Sequence, residues 1–303
     1  MFTFKNSIGA FVIEGGKLSQ EFLFDSQENI DKKEKEFISK GIPAANEKQK
    51  HQALQLICDK KYFELLKSRC LDFTIEKISG AVSNDNFIIQ SINNIEELHK
   101  ILNVMVKRLR EWFGYYIPEI VEATDDNEAF VSLVLNNTKT QLSEKFNIQK
   151  SMGGSFSKED INMMLDLALR IKGMFELRDS LTEYMEQIMK KHCPNMLALT
   201  GAGIGAKLLE QAGSLERLST MPSSTIQVLG AEKALFRHLK TGSRPPKHGF
   251  LINHPLVIKA RDREKGRVAR TLADKISMAI KVDYFKGEFI GDKLREELEK
   301  RFL

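Results

Sequence analysis

The sequence has few cysteines and no long apolar run. Its three cysteines, Cys58, Cys70 and Cys193, form an odd set without a CxxC pair, so we expect a reducing compartment rather than a disulfide framework. His192 adjoins Cys193, but no second pair lies at ligand spacing, and we expect no metal site. Neither a secretory signal nor a run of about 18 apolar residues is present, so the sequence predicts a soluble, intracellular protein without membrane contact.

Motifs for catalysis are also missing. The sequence contains neither GxxxxGK[ST], which cradles phosphates, nor GxSxG, which positions a nucleophilic serine. Gly201, Gly203 and Gly205 fit a relaxed GxGxxG/A pattern, but no acid lies between Glu216 and Glu232 and no parallel-strand rhythm follows. We interpret these small residues as sites of close helix packing. The sequence therefore predicts no catalytic residue and no cofactor of its own.

The positive charge is concentrated in one segment. The formal net charge is +5, yet residues 237–270 alone hold ten Lys and Arg against two acids, Asp262 and Glu264. Such a concentration is typical of a site for a polyanion, whereas a solvated lysine-rich face would usually include more acids. His238, His248 and His254 lie in the same segment, where we expect them to stack on or hydrogen-bond nucleic acid rather than to catalyse.

The apolar pattern divides the chain into three segments. Residues 1–88 predict a small α+β module, with a hairpin turning at Gly15-Gly16, a strand that resumes from Leu18 to Phe24, and helices near 27–40 and 49–69. Residues 89–192 predict an antiparallel helical hairpin, and residues 193–303 predict an all-α domain with helices near 255–282 and 291–302. The expected fold is thus mostly α with a small α+β N-terminal module.

The predicted hairpin has a coiled-coil pattern. Its first arm carries an a/d seam of apolar residues spaced alternately three and four apart: Ile95, Leu98, Leu102, Met105, Leu109 and Trp112. A further helix is predicted near 128–146, a turn at 151–155, and the return arm begins with the capping box Ser157-Lys-Glu-Asp160. Either the two arms pair only with each other, or the hairpin also associates with a second copy or a related chain.

One segment resembles a known family. Residues 221–255 run MPSSTIQVLGAEKALFRHLKTGSRPPKHGFLINHP, with GAEK at 230–233, ALFR at 234–237, PPKHG at 245–249 and His254-Pro255. These motifs resemble the Nop domain, in the order that this family shows. The similarity extends to 212–222, 176–181 and 109–113, and covers roughly two-thirds of the chain, whereas the N-terminal module matches only loosely.

The resemblance implies a non-enzymatic scaffold, most like the archaeal core protein of the box C/D guide ribonucleoprotein, which directs 2'-O-methylation of RNA. The N-terminal module would hold fibrillarin, the methyltransferase that binds S-adenosylmethionine. The hairpin would pair two copies, and the C-terminal domain would clamp a kink-turn of the guide RNA with its bound L7Ae-like protein. Eukaryotic members of this branch usually carry a long lysine-rich tail, and this sequence has none before Leu303. The resemblance therefore implies an archaeal, cytoplasmic protein; a eukaryotic one would be nucleolar.

Two groups of residues are candidates for these contacts. Small residues and charges of both signs suit a protein partner, so we assign the L7Ae-like protein to Gln227, Gly230, Ala231, Glu232 and Lys233. From Arg237 to Lys247 the charged side chains are uniformly positive, which suits contact with phosphates. We therefore assign RNA binding to Arg237, Lys240, Arg244, Lys247 and His248. The later basic run, Lys259–Arg270, is left open: Arg263, Arg267 and Arg270 could form a solvated face of a helix.

Other functions remain as alternatives. A spliceosomal Nop-domain protein would also embrace a kink-turn complex, although ALFRHLKTG and PPKHG resemble the box C/D branch more closely. A general basic RNA-binding protein would bind naked RNA and need no protein cofactor. An enzyme is the third alternative, and the sequence offers no residues for it.

Overall fold

The structure is a computed structural model that describes residues 1–23, 27–57 and 60–302. The chain forms two compact units, Met1–Ser83 and Asn84–Leu303. Phe24, predicted to end a strand, and Cys58 lie outside the described residues. The expected fold class is confirmed, since a small antiparallel sheet begins the chain and helices make up most of the other described residues.

The first unit contains a three-stranded sheet. Strands β1 (Phe2–Asn6), β2 (Gly9–Glu14) and β3 (Lys17–Leu23) pair antiparallel in chain order. Gly15 and Gly16 have φ of +56° and +78°, so the predicted hairpin turn is confirmed at residues that tolerate left-handed backbone. Helices α1 (Gln27–Ser39), α2 (Glu47–Ile57) and α3 (Lys60–Gly80) follow.

Both faces of β2 are buried, which explains its nearly continuous apolar sequence. Ala10 and Val12 share a cluster with Ile30 and Phe37 of α1. On the other face, Phe11 and Ile13 belong to a cluster with apolar residues of α2 and α3, namely Ala53, Ile57 and Tyr62. The central strand thus alternates between two small cores, as the period of two in a strand requires.

The second unit begins with the predicted hairpin, formed by α4 (Asn84–Tyr116) and α8 (Lys158–His192), which pack along each other. The predicted seam is only partly right. Ile95, Leu102 and Leu109 are buried, but Leu98, Met105 and Trp112 are half-buried, and the most buried stripe also includes Ile88, Ile92, Val106 and Phe113. The stripe is wider than a strict heptad because α4 also packs against shorter helices at the far end.

The predicted helix over 128–146 is wrong in one respect, since it is interrupted. Helices α5 (Pro118–Ala123), α6 (Asn127–Asn136) and α7 (Lys139–Lys145) connect the two arms. Asn137 is extended, and Thr138 starts α7 with a reciprocal capping box to Gln141. The predicted capping box between Ser157 and Asp160 is confirmed at the start of α8.

The rest of the second unit is helical. It comprises α9 (Pro194–Ala212), α10 (Leu215–Thr220), α11 (Ser223–Val228), α12 (Glu232–Thr241), a 3-10 turn (Phe250–Asn253), α13 (Pro255–Lys259), α14 (Lys265–Tyr284) and α15 (Gly291–Phe302). The single helix predicted over 255–282 is therefore wrong, because the chain leaves the helix between Lys259 and Lys265. None of the helices in the described part of the chain is long and apolar enough to cross a membrane.

One apolar core joins the base of the hairpin to the C-terminal helices. Ile88 and Ile92 of α4 and Met189 of α8 belong to the same buried cluster as Leu209 of α9 and Ile276 of α14. The predicted division into 1–88, 89–192 and 193–303 stays a prediction about domains. In the structure, residues on both sides of position 192 lie in one compact unit.

The glycines of the GxGxxG-like pattern have a packing role at one position. A methyl group on Gly205 would lie 2.7 Å from Thr200 Oγ and 2.8 Å from Met189 Cε, so close packing is confirmed there. Gly201 has a φ of +70° and breaks α9, whereas Gly203 has open space around it. Within the described residues the only sheet is antiparallel, and this pattern follows no strand.

Candidate nucleic-acid and protein interface

Two segments 20 residues apart in sequence are hydrogen-bonded to each other beneath the candidate interface. The Gly249 N–H donates to Gln227 O (2.9 Å), and the Phe250 N–H donates to Leu229 O (2.8 Å). The Gln227 side-chain amide donates to Lys247 O at 2.6 Å. A methyl group at Gly249 would lie 1.7 Å from Leu229 O, so only glycine permits this approach. The GAEK and PPKHG motifs therefore lie side by side.

The predicted protein-binding residues cluster where α12 begins. Gly230 is exposed and has a φ of +87°, which strains any other residue, and a Cβ there would lie 2.7 Å from the Phe250 ring, which would have to shift. Its N–H donates to the Glu232 carboxylate at 2.7 Å. Gln227 and Glu232 thus use polar atoms to fix the turn, while Gly230 and Lys233 remain exposed to solvent.

Helix α12 has no buried residue. Arg237 and Lys240 are exposed, and so are Phe236 (61% exposed) and Leu239 (69%). The motifs in the sequence did not indicate these two apolar side chains, although they lie three residues apart in the ALFRHL run. Since both are far more exposed than core residues, α12 presents an apolar strip beside its cations.

The basic loop that follows α12 is locally ordered. Gly242 ends the helix with a φ of +67°, and His238 Nδ1 hydrogen-bonds the Ser243 carbonyl. Arg244 and Lys247 are exposed, and His248 is half-buried. None of the four predicted RNA-binding cations, Arg237, Lys240, Arg244 and Lys247, lies within 4 Å of a carboxylate among the described residues. Their charges are available to a polyanion.

His254 does not face a nucleic acid. It is 8% exposed, its Nε2 donates to Leu199 O at 2.9 Å, and its Nδ1 accepts from the Leu256 N–H at 3.3 Å. Burial lowers its pKa below the ordinary value, although the hydrogen bond to Leu199 opposes the shift. The prediction that His254 contacts RNA is therefore wrong. It caps α13 and satisfies a carbonyl beside the break in α9.

The later basic run is divided between loop and helix. Arg263 precedes α14, so only Arg267 and Arg270 of the three predicted helical arginines lie on it. Lys265 pairs with Asp262 (2.8 Å) and Arg267 with Glu264 (3.3 Å). The Lys265 ammonium holds the pKa of Asp262 below its usual value, with a smaller contribution from Lys247. Part of this run is thus neutralised within the chain, and its role stays open.

The arrangement offers a surface on which a polyanion could bind. Exposed cations, an apolar strip and a rigid glycine turn lie within one stretch of the chain, residues 227–250. No group of three or more His, Cys, Asp or Glu side chains that could hold a metal ion is found among the described residues.

Comparison with known proteins identifies the family. The sequence model described as "Nop: snoRNA binding domain, fibrillarin" matches residues 94–303, which is more than half of the chain. The chain belongs to the Nop family. The Nop-family match includes the hairpin from residue 94 onward as well as the candidate interface, and the resemblance seen in the sequence is confirmed.

Relatives of this Nop protein occur in archaea and eukaryotes. An uncharacterized NOP5 family protein of Methanocaldococcus jannaschii is 40% identical over 239 residues, covering 74% of this chain and 58% of that protein. Mouse nucleolar protein 56 is 37% identical (72% and 41% covered), and nucleolar protein 58 of Candida albicans is also 37% identical (72% and 44% covered). The chain thus spans about two-fifths to three-fifths of these relatives.

One chain in the solved structure of a fibrillarin/Nop5p complex also matches this protein. The alignment covers 99% of this chain and 98% of that chain, with 24% sequence identity and a TM-score of 0.45.

Proposed function

We propose that this Nop protein is a scaffold of the box C/D particle for RNA-guided 2'-O-methylation, in which it clamps a kink-turn of the guide RNA together with an L7Ae-like protein. The observation that carries this proposal is α12 with its flanking turns, where exposed cations with no carboxylate within 4 Å among the described residues lie beside an exposed apolar strip and a hydrogen-bonded glycine turn. The description of the matching family as a snoRNA-binding domain supports this assignment.

The proposed contacts divide along the site. Arg237, Lys240, Arg244 and Lys247, with His248, would bind RNA phosphates, which position a protein on RNA without reading sequence. Gln227 and the turn from Gly230 to Lys233 would meet the L7Ae-like protein. Because Gln227 and Glu232 already hydrogen-bond within the chain, we expect them to shape that surface and expect Gly230 and Lys233 to be touched directly.

The scaffold would have no catalytic residue and no cofactor of its own. Methyl transfer would belong to fibrillarin, which would bring S-adenosylmethionine and bind the N-terminal module. The family description names fibrillarin beside the RNA-binding domain, which supports this partner. Cytoplasmic location in an archaeon, or nucleolar location in a eukaryote, stays a prediction.

Self-association through the hairpin is part of the same proposal. The arms bury one seam against each other, yet α8 leaves Leu169, Leu177 and Tyr184 about half exposed at spacings of eight and seven residues. On α4, Ile101 and Val104 are 45% and 60% exposed. Apolar residues repeated at these spacings lie along one side of a helix and favour a second copy as the partner.

A gel shift with a kink-turn RNA tests the composite clamp. We expect tight binding only when the L7Ae-like protein is present, because the exposed cations supply just one part of the contact. Reversing two charges, with Lys240→Glu and Lys247→Glu, should weaken assembly by about tenfold or more and flatten its dependence on salt. The matched control, Lys190→Glu with Lys293→Glu, reverses two exposed lysines away from α12. It should leave the assembly affinity and its salt dependence unchanged.

Two results would contradict the proposal. Equal binding of the naked RNA would identify a general basic RNA-binding protein. An unchanged affinity and salt slope in the double variant at Lys240 and Lys247 would remove these lysines from the RNA contact.

A further inference from the structure

The far end of the hairpin contains a cavity that no function above uses. It has a volume of about 350 Å³ and lies between the end of α4, the junction of α6 with α7, and the start of α8. Phe113, Leu142 and Met164 form part of its wall and are each at most 2% exposed. The cavity thus reaches into the core of the hairpin end, and its size is at the small end of ligand sites, suited to a large apolar side chain.

One cation stands at the edge of this cavity. Lys139 Nζ donates to Tyr116 O at 3.3 Å and lies 4.5 Å from the centroid of the Tyr116 ring. No carboxylate lies within 4 Å of Lys139 among the described residues. Asn136, Asn137 and Thr138 also line the cavity. An apolar wall beside a fixed ammonium suits an aromatic side chain with a carboxylate next to it.

The same chain carries a segment with this chemistry. Between α14 and α15, Phe285 is 76% exposed and Phe289 is 54% exposed, and Glu288 between them is also exposed. We call residues 285–289 the aromatic loop. The Gly287 N–H donates to Val282 O (2.8 Å) and the Ile290 N–H donates to Asn195 Oδ1 (2.6 Å). The aromatic loop is therefore held at the base of the hairpin, where Asn195 follows α8.

The aromatic loop cannot fill the cavity of its own chain. The cavity lies near Phe113, and the loop is anchored at the opposite end of the hairpin, where α4 begins. At 1.5 Å per residue, α4 separates the two by roughly 40 Å. Only another copy brings the loop and the cavity together.

The bulk of the C-terminal helices restricts the direction in which two hairpins can pair. In each chain α9 to α11 and α13 to α15 share a core with the base of the hairpin, while the far end packs against α5 to α7 among the described residues. Two hairpins paired in the same direction would crowd both sets of C-terminal helices at one end. Antiparallel pairing avoids this and brings the base of each copy beside the far end of the other.

We propose that, in an antiparallel pair of hairpins, the aromatic loop of each copy enters the cavity of the other, with Glu288 facing Lys139. Because such a pair is two-fold symmetric, the same contact occurs twice. This inference rests on the proposed self-association and adds the residues that fix its direction.

Charge exchange in the full-length protein tests the contact. By sedimentation, Lys139→Glu and Glu288→Lys should each raise the Kd of the dimer, by about three- to tenfold per contact, and the variant carrying both should recover most of the loss. Phe285→Ala with Phe289→Ala should weaken the dimer further. The control Lys145→Glu reverses an exposed lysine of α7 that does not line the cavity, and should leave the Kd unchanged. Circular dichroism checks that each variant is folded.

The outcomes separate the two proposals. If the wild-type chain stays monomeric, self-association itself fails and the loop contact fails with it. If the chain dimerises but the single charge reversals leave the Kd unchanged, the hairpin pairing stands and the loop contact is overturned. Weakening without recovery in the exchanged variant would also overturn the pairing of Glu288 with Lys139.

Discussion

A single guanidinium organises the segment between the arms of the hairpin. Arg110 donates to the carbonyls of Val121 (3.1 Å) and Thr124 (2.6 Å) and to Asn127 Oδ1 (3.3 Å). It also reaches the carbonyls of Asp125 and Asp126, and its guanidinium lies 4.3 Å from the centroid of the Phe130 ring. Only arginine offers five donors in a planar fork that can also stack on an aromatic ring.

We expect Arg110→Lys to lower the free energy of unfolding by about 2 kcal/mol, because several carbonyls that accept from a charged donor lose it. Urea denaturation measures this change. Arg108→Lys is the matched control: Arg108 is exposed, and Glu111, at 2.6 Å, is its one ion-pair partner among the described residues. This substitution should change stability by less than about 0.5 kcal/mol. Equal effects of the two variants would contradict the role given to Arg110.

At the scale of elements, two carboxylates fix helix ends at the base of the hairpin. Asp283 of α14 accepts from the N–H groups of Asn195 and Met196 and so caps α9. Asp85 of α4 accepts from the Leu215 N–H at 3.0 Å and pairs with His192 at 2.6 Å. These bonds connect α4, α8, α9, α10 and α14, which explains why hairpin and C-terminal helices form one unit.

The two carboxylates respond oppositely to pH. Burial acts to raise the pKa of Asp85, but the bonds from His192 and Leu215 prevail and lower it. Its stabilising effect is therefore present above the unfolded pKa of about 3.9 and is lost as pH falls below that value. At Asp283 burial outweighs the hydrogen bonds and raises the pKa. The effect of this group on stability as the pH falls therefore has the opposite sign.

We expect Asp85→Asn to be less stable than wild type at neutral pH and to lose less stability on acidification below about pH 4, because asparagine does not titrate. Thermal unfolding followed from pH 3 to pH 7 measures both effects. Asp283→Asn should change the dependence of stability on pH in the direction opposite to that of Asp85→Asn. A parallel shift of the Asp85→Asn curve at every pH would show that the carboxylate charge is not involved.

At the scale of the whole molecule, the hairpin has an inner seam and an outer side with exposed apolar residues. Its inner seam holds α4 against α8, and its outer side keeps apolar residues such as Leu177 (50% exposed) in contact with solvent. Exposed leucines at regular spacing along a helix are costly in a monomer unless a partner covers them. The proposed pairing gives this side of the hairpin a function.

We expect Leu177→Asp to convert a dimer of the full-length chain into a monomer, since a charge would be buried in the interface without a partner. Sedimentation equilibrium detects the change in mass. Thr182→Asp places the same charge at an exposed position of α8 and serves as the control. A dimer that survives Leu177→Asp would move the interface away from this side of α8.

Much of the fold follows from local patterns. The hairpin turn at Gly15-Gly16, the two arms and the capping box at Ser157 depend on residues close together in sequence, so periodicity and turn chemistry predict them. The interruption at Asn137 was missed although the sequence carries a signal for it, since Asn136, Asn137 and Thr138 are poor helix formers and Thr138 with Gln141 fits a capping box. The break at 260–264 was missed because no glycine or proline lies there and the break depends on how the flanking helices pack.

The sequence by itself determined the family, the helical hairpin and the position of the cationic segment, because motif order, apolar period and charge are properties of the chain. Only the tertiary structure decided which polar groups remain available. It buried His254 against Leu199, fixed Gln227 and Glu232 by internal hydrogen bonds, and left Phe236 and Leu239 exposed. The physical reason is that burial and hydrogen bonding depend on neighbours brought from distant parts of the sequence, which no local pattern encodes.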